Sequence, residues 1–262
     1  MFLKINDVSI AYDDVGEGQE VVLIHGFPLS RSMWGPQVGS LVASGYRVIT
    51  FDLPGFGESE DMPVQGISDY SDLLEALLTQ LKIRRAVIGG MSMGGYVLLN
   101  FIARYPERVE AALFIVTRAD ADDEAAQKKR EAMIEFVQTG QRQRVIEAFR
   151  SVLFGPDVNP DLVKLVESWM VEASDQALVQ GLASMKSRLD RVHTLQGITM
   201  PSWVVTAEQD RAIPPTFSKT LENQIPNCRL EIIEHAGHMV NREQSTEFNR
   251  RMLTFLNELF SF

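Results

Sequence analysis

Gly90, Ser92 and Gly94 spell Gly-x-Ser-x-Gly, a spacing in which a serine can act as a nucleophile. A hydroxyl is too weak an acid to attack a carbonyl alone, so a neighbouring imidazole must take its proton. A carboxylate must then hold that imidazole in one tautomer and stabilise its cation. The chain has four histidines. His238 follows Gly237, which suits a tight turn that presents the ring, and it is the preferred base; His235, in the same loop, is the alternative. His25 reads as a structural hydrogen-bonding group in a glycine loop, and His193 falls in a helical stretch. Asp210 is the preferred carboxylate. Asp52 competes with it, but its loop is rich in glycine and proline and reads as structural. Negative charge developing on a carbonyl oxygen needs two convergent backbone N–H groups. Met93, directly after the serine, and Phe27, in the loop after the third strand, are the candidates. Together these groups would cleave an acyl bond through an acyl-enzyme. Such chemistry needs no metal and no cofactor, and none is expected.

These residues can meet only if particular elements bring them together. Ala86 to Ile88 reads as a buried strand, and Tyr96 to Ala103 has helical period, so Ser92 sits at a strand-to-helix turn. Glycines two residues to either side relieve the crowding there. Apolar runs at Val21–Ile24, Arg47–Phe51, Ala111–Val116, Ser202–Thr206 and Arg229–Ile233 read as further buried strands. Residues 2–5 and 8–12 form a hairpin turning at Asn6-Asp7. Helices are expected at about 32–43, 68–81, 215–224 and 245–260. The alternation predicts an α/β fold, a mostly parallel doubly wound sheet of about eight strands. Ser92, Asp210 and His238 each fall just past the carboxyl end of a strand, where open parallel sheets bind ligands.

The alternation breaks between Arg118 and Thr199, where only helical periodicity remains. We read residues 119–198 as a helical cap inserted into a core of residues 1–118 and 199–262. Asn159-Pro160 and Ser174 mark helix starts. Phe136, Phe149, Phe154, Trp169 and Met170 of this cap, with Ile213 and Met239 beyond the acid and base, are the candidate pocket wall. Asp120, Asp122, Asp123 and Glu124, followed by Lys128 to Arg130, read as a solvated, helix-supporting face.

At 262 residues, with 45% hydrophobic and 23% charged residues, the chain has the composition of a globular protein with a sizeable core. The net charge of −10, without a lysine- or arginine-rich tract, argues against a nucleic-acid partner or an anionic membrane surface. No apolar run approaches the length of a membrane span, and the first residues lack the apolar core of a signal peptide. The single cysteine, Cys228, fits a reducing compartment. A cytoplasmic location is the expectation; the oligomeric state is not readable.

Taken together, His25-Gly26-Phe27-Pro28, Asp52-x-x-Gly55-x-Gly57-x-Ser59, Gly90-x-Ser92-x-Gly94-Gly95, Asp210 and Gly237-His238 resemble the α/β-hydrolase superfamily, in the order that superfamily shows. Within it the chain looks like the carboxylesterase and 3-oxoadipate enol-lactonase group, a likeness carried by Thr117-Arg118-Ala119-Asp120 and the helical cap. The resemblance implies Ser92 as nucleophile, Asp210 as acid, His238 as base, and Phe27 and Met93 as oxyanion donors. Ala207 stands where a glycine is usual, and Ser245 where a proline often follows the histidine loop. A serine nucleophile sets the chain apart from the dehalogenases and epoxide hydrolases, which attack with aspartate. The enol-lactonase likeness implies a substrate with a free carboxylate, for which Arg118 would be the cation. An apolar roof favours an uncharged acyl group instead, and a short neutral ester is the expectation. A ligand-binding sensor, a thioesterase and a carbon–carbon bond hydrolase are the other readings on this fold.

Overall fold

The computed structural model describes residues 1–260. Eight strands form one sheet: β1 (Phe2–Ile5), β2 (Val8–Val15), β3 (Gln19–Ile24), β4 (Tyr46–Phe51), β5 (Ala86–Met91), β6 (Val109–Ile115), β7 (Ser202–Ala207) and β8 (Cys228–Ile233). Their order across the sheet is β1-β2-β4-β3-β5-β6-β7-β8. Only β2 runs antiparallel to its neighbours, β1 and β4; the other pairings are parallel. Asn6 and Asp7 take φ of 51° and 65° in the β1–β2 turn, the left-handed pair that a two-residue hairpin needs.

The core lies on both faces of the sheet, because side chains alternate along a strand. Val22, Ile24, Ile88 and Phe114 pack on one face with α2 (Ile67–Gln80) and α3 (Met93–Arg104). Val21, Leu23, Val87 and Leu113 pack on the other with α1 (Gly35–Ala43) and, from the far end of the chain, Phe248, Met252 and Phe255. Several boundaries differ from the sequence reading, and two of them have a local physical cause. The helix expected from residue 32 begins as a 3-10 turn, Arg31–Trp34, before α1, since Pro36 has no N–H with which to continue an α ladder backwards. Strand β5 runs on through Gly89 and Gly90 to Met91. A side chain at Gly89 would come within 2.8 Å of Leu23 in the neighbouring strand, so its small size allows the strand to continue.

Between β6 and β7 lie α4 (Glu124–Gln138), α5 (Arg142–Leu153), α6 (Pro160–Glu172) and α7 (Asp175–Ser187), with no strand among the described residues. Local capping sets their starts. The side chains of Asp123, Asn159 and Ser174 accept from the N–H groups of Ala126, Asp161 and Ala177, each satisfying a donor that a helix start leaves free. The segment is tied back to the sheet loops: Ser174 N–H donates to Gly55 O at 2.8 Å and Met239 N–H to Leu153 O at 2.9 Å. Helix α8 (Thr216–Gln224) links β7 to β8, and after β8 come the short α9 (Val240–Glu243) and α10 (Ser245–Leu259). Among the described residues no helix is long and apolar enough to cross a membrane.

Candidate active site

Ser92 occupies the single residue between β5 and α3, with φ 53° and ψ −114°. A non-glycine residue in that region is strained, and the surroundings must hold it there. They do so by close approach. A methyl group at Gly94 would collide with the carbonyl oxygen of Ile24, and one at Gly90 with the backbone of Gly94. Ser92 N–H donates to Ile115 O at 2.9 Å, and Thr117 Oγ1 donates to Ser92 O at 2.8 Å. The turn is thus fixed from β6 as well as from its own strand.

Asp210 and His238 meet from the loops after β7 and β8. His238 Nδ1 lies 2.7 Å from Asp210 Oδ2, and both residues are buried. The other oxygen, Oδ1, accepts from Ala212 N–H at 2.8 Å and Ile213 N–H at 2.9 Å, so the carboxylate is held at both ends. An Nδ1–H donated to Asp210 leaves the Nε2 lone pair free to accept a proton. Ser92 and His238 line one cavity of about 240 Å³. His235 is exposed, with φ 56°, and does not line it.

The other candidates are occupied elsewhere. His25 is fully buried; its Nε2 accepts from Leu53 N–H at 2.9 Å and its Nδ1 faces Gly26 O at 2.8 Å. Burial pushes its pKa down despite Asp52 nearby, which keeps it neutral as a bridge between two loops. Asp52 accepts from the Arg31 and Glu58 N–H groups and pairs with the Arg31 guanidinium. Among the described residues, the amide N–H groups of Phe27 and Met93 have no acceptor in the chain. Met93 opens α3, where such donors are free by geometry, and the Phe27 loop lies against the serine turn, with Gly26 facing Ser92 Cβ.

A family model described as the alpha/beta hydrolase family matches residues 21–251. The chain belongs to that family. It is therefore an enzyme of the α/β-hydrolase class. A Synechocystis protein provisionally named a non-heme chloroperoxidase is 32% identical over 95% of both chains. A Burkholderia vietnamiensis protein named as a 2-hydroxy-6-oxononadienedioate/2-hydroxy-6-oxononatrienedioate hydrolase is 30% identical over 95% of this chain and 91% of its own. Among solved structures, a thermophilic esterase from Thermogutta terrifontis superimposes with a TM-score of 0.92 at 29% identity, covering 96% of this chain and 94% of the esterase.

The wall of this hydrolase's cavity differs from the sequence reading. Of the expected wall residues, Arg118 and Ile213 line it, as does Phe149, whose ring centroid is 4.9 Å from that of Phe27. Phe136, Phe154, Trp169, Met170 and Met239 do not. Phe136 lies under the Arg144 guanidinium at 3.7 Å, Trp169 faces Arg242, and Phe154 and Met239 are buried in the core. Helical periodicity in this segment does not tell what each apolar side chain is packed against. Tyr96, Met133, Val152 and Met185 complete much of the apolar wall; nothing in their spacing separates them from ordinary core positions.

The acidic run before α4 is also corrected in part. Lys128 and Glu124 do form an exposed pair at 2.6 Å. Asp122, however, is buried and holds three guanidiniums. Arg118 and Arg188 each donate to Oδ1 at 2.6 Å, and Arg130 donates to Oδ2. Burial alone would raise its pKa; Arg130 and Arg188 more than offset this and hold the carboxyl below its ordinary value. Arg118, Lys129, Arg130 and Arg211 line the cavity against this one carboxylate. The wall is therefore cationic, in a chain whose net charge is −10.

Proposed function

We infer that this hydrolase cleaves a small carboxylic ester or lactone whose acyl or alcohol half carries a carboxylate. Ser92 Oγ attacks the carbonyl carbon while His238 Nε2 takes its proton, and Asp210 stabilises the imidazolium. The Phe27 and Met93 amides receive the oxyanion. Collapse of the tetrahedral species breaks the bond to the leaving oxygen, which takes the proton from His238. Water then repeats the sequence on the acyl-enzyme, releasing the acid. The helices of residues 119–198 act as a cap that roofs this chemistry.

The observation that carries the reading is the 2.7 Å contact between His238 and Asp210 at the cavity that Ser92 lines. The cationic wall supports a carboxylate in place of the short neutral ester expected from the sequence. Arg118 and Arg130 each give Asp122 a hydrogen bond, and neither has another acceptor among the described residues. Guanidinium N–H groups so placed match a planar carboxylate. A cavity of about 240 Å³ is below the ~300–1,000 Å³ of drug-sized sites, which favours a small substrate. The Thermogutta esterase supports the ester reading. The Burkholderia relative favours a second one, hydrolysis of a carbon–carbon bond in a 2-hydroxy-6-oxo acid.

The test compares p-nitrophenyl hemi-esters of small dicarboxylic acids with their methyl-capped neutral analogues, alongside the 2-hydroxy-6-oxo acid. Ser92→Ala is expected to lower ester turnover about 10³-fold or more, since the triad acts as a unit. The free carboxylate is expected to raise kcat/KM by about tenfold or more, an advantage reduced in Arg130→Gln. Preference for the capped ester would remove the carboxylate from the reading. Turnover of the 2-hydroxy-6-oxo acid alone would replace ester chemistry with carbon–carbon cleavage.

A further inference from the structure

Glu243 takes no part in the chemistry above, yet it joins the two structures that must be aligned for it. One carboxylate oxygen, Oε2, accepts from Gly155 N–H at 2.8 Å, and the other, Oε1, accepts from Gly237 N–H at 3.1 Å. Gly237 is the residue before His238. Gly155 follows the end of α5, the helix that gives Ala148, Phe149, Val152 and Leu153 to the cavity wall.

The two loops meet backbone to backbone at this point. A methyl group on Gly237 would collide with Gly155 N and with the Phe154 backbone, and one on Gly155 would come within 3.1 Å of both Gly237 N and Glu243 Oε2. Met239 N–H donates to Leu153 O at 2.9 Å, Gln209 N–H to Ala236 O at 2.9 Å, and Arg211 to Phe154 O at 3.0 Å. Two amide donors facing each other across such a gap would repel and remain unsatisfied if nothing lay between them. A carboxylate, with two acceptor atoms and one charge, satisfies both at once.

Burial makes this an unfavourable place for a charge, and it pushes the Glu243 pKa up; the backbone N–H groups and His238 pull the other way. A charge held against its desolvation cost is held by what it binds. Glutamine in its place would keep one acceptor and turn an NH₂ group toward the second N–H. The sequence offers no signal for the role beyond a fixed spacing of five residues after His238.

We propose that Glu243 is a positioning residue, a carboxylate latch that fixes the end of α5 to the His238 loop, so that the cavity wall and the imidazole are placed together. The proposal rests on His238 as the base, but its first test does not involve turnover. Amide hydrogen exchange in Glu243→Gln is expected to speed up at both Gly155 and Gly237, on the order of tenfold. Unchanged exchange at either amide would overturn the latch.

The second test reads kinetics per folded molecule. Glu243→Gln is expected to lower kcat and raise KM together, reducing kcat/KM on the order of tenfold. Gly155→Ala, which wedges the same two loops apart while keeping the Glu243 side chain, is expected to show the same pattern. It also stands in if the glutamine variant folds poorly. The double variant is expected to lose little more than either single one, because both break one coupling. A lowered Tm with wild-type kcat and KM, or fully additive losses, would make Glu243 a stabilising side chain only. If Ser92→Ala kept its turnover, the catalytic reading would fall while the exchange result still decided the latch.

Discussion

The loops at the carboxyl ends of β5, β7 and β8 and the four helices above them are fixed by different means. In the loops, backbone geometry does the work. Ser92 is held at φ 53° by glycines that admit the carbonyl of Ile24 and the turn itself, and Asp210 is held by two amides and one imidazole. In the helices, side chains do the work: three arginines from separate places converge on Asp122. Backbone constraints tolerate almost no added atom, whereas a side-chain network tolerates atoms but depends on its charge. On the proposed function, the reaction geometry belongs to the rigid region, and substrate selection to the one that can be re-paired.

The sharpest way to break this comparison is to add one methyl group to each region. Gly94→Ala drives a methyl into the Ile24 carbonyl, and neither backbone can yield. We expect turnover to fall about 10²-fold or more, since the Met93 amide and Ser92 would move together. Gly181→Ala in α7 places its methyl 2.8 Å from the edge of the Phe27 ring, a side chain rather than a backbone; turnover is expected to stay within about threefold. Equal losses in the two variants, measured on one ester, would erase the distinction.

Charge removal sharpens it from the other side. Asp122→Ala leaves three guanidiniums without their shared carboxylate and is expected to cost about 3–5 kcal/mol in urea unfolding. The sign with pH follows from the shift. The Asp122 carboxyl is held below its ordinary value in the folded chain, so its stabilisation is complete at neutral pH. It is lost as pH falls through the folded value, below about pH 4. Asp122→Asn is expected to lack this part of the acid-side loss. An unchanged acid limb would show that the cluster contributes nothing net.

The same contrast explains what could be read from the sequence. Turns leave marks in composition, so Gly90, Gly94 and Gly237 point to the serine and histidine loops, and the strand periodicity puts Ser92, Asp210 and His238 past the carboxyl ends of their strands. That His238 meets Asp210 and shares a cavity with Ser92 is legible for that reason. Asp122 is not, because a run of acidic residues looks solvated until Arg118, Arg130 and Arg188 are brought to it from other elements. Phe136 and Phe149 carried the same helical signal, yet one lies under Arg144 and the other against Phe27. Periodicity tells that a face is covered and is silent on what covers it. The early stop assigned to β5 had a similar origin, since Gly89 and Gly90 resemble a turn until Leu23 is placed beside them.

The strained turn after β5 is proposed to present Ser92 as the nucleophile. A serine-directed fluorophosphonate, followed by peptide mapping in a mass spectrometer, tests it most directly. The account expects one adduct per chain, on Ser92, formed in step with loss of activity and absent from Ser92→Ala. An adduct on another residue, or full inactivation without modification of Ser92, would contradict it.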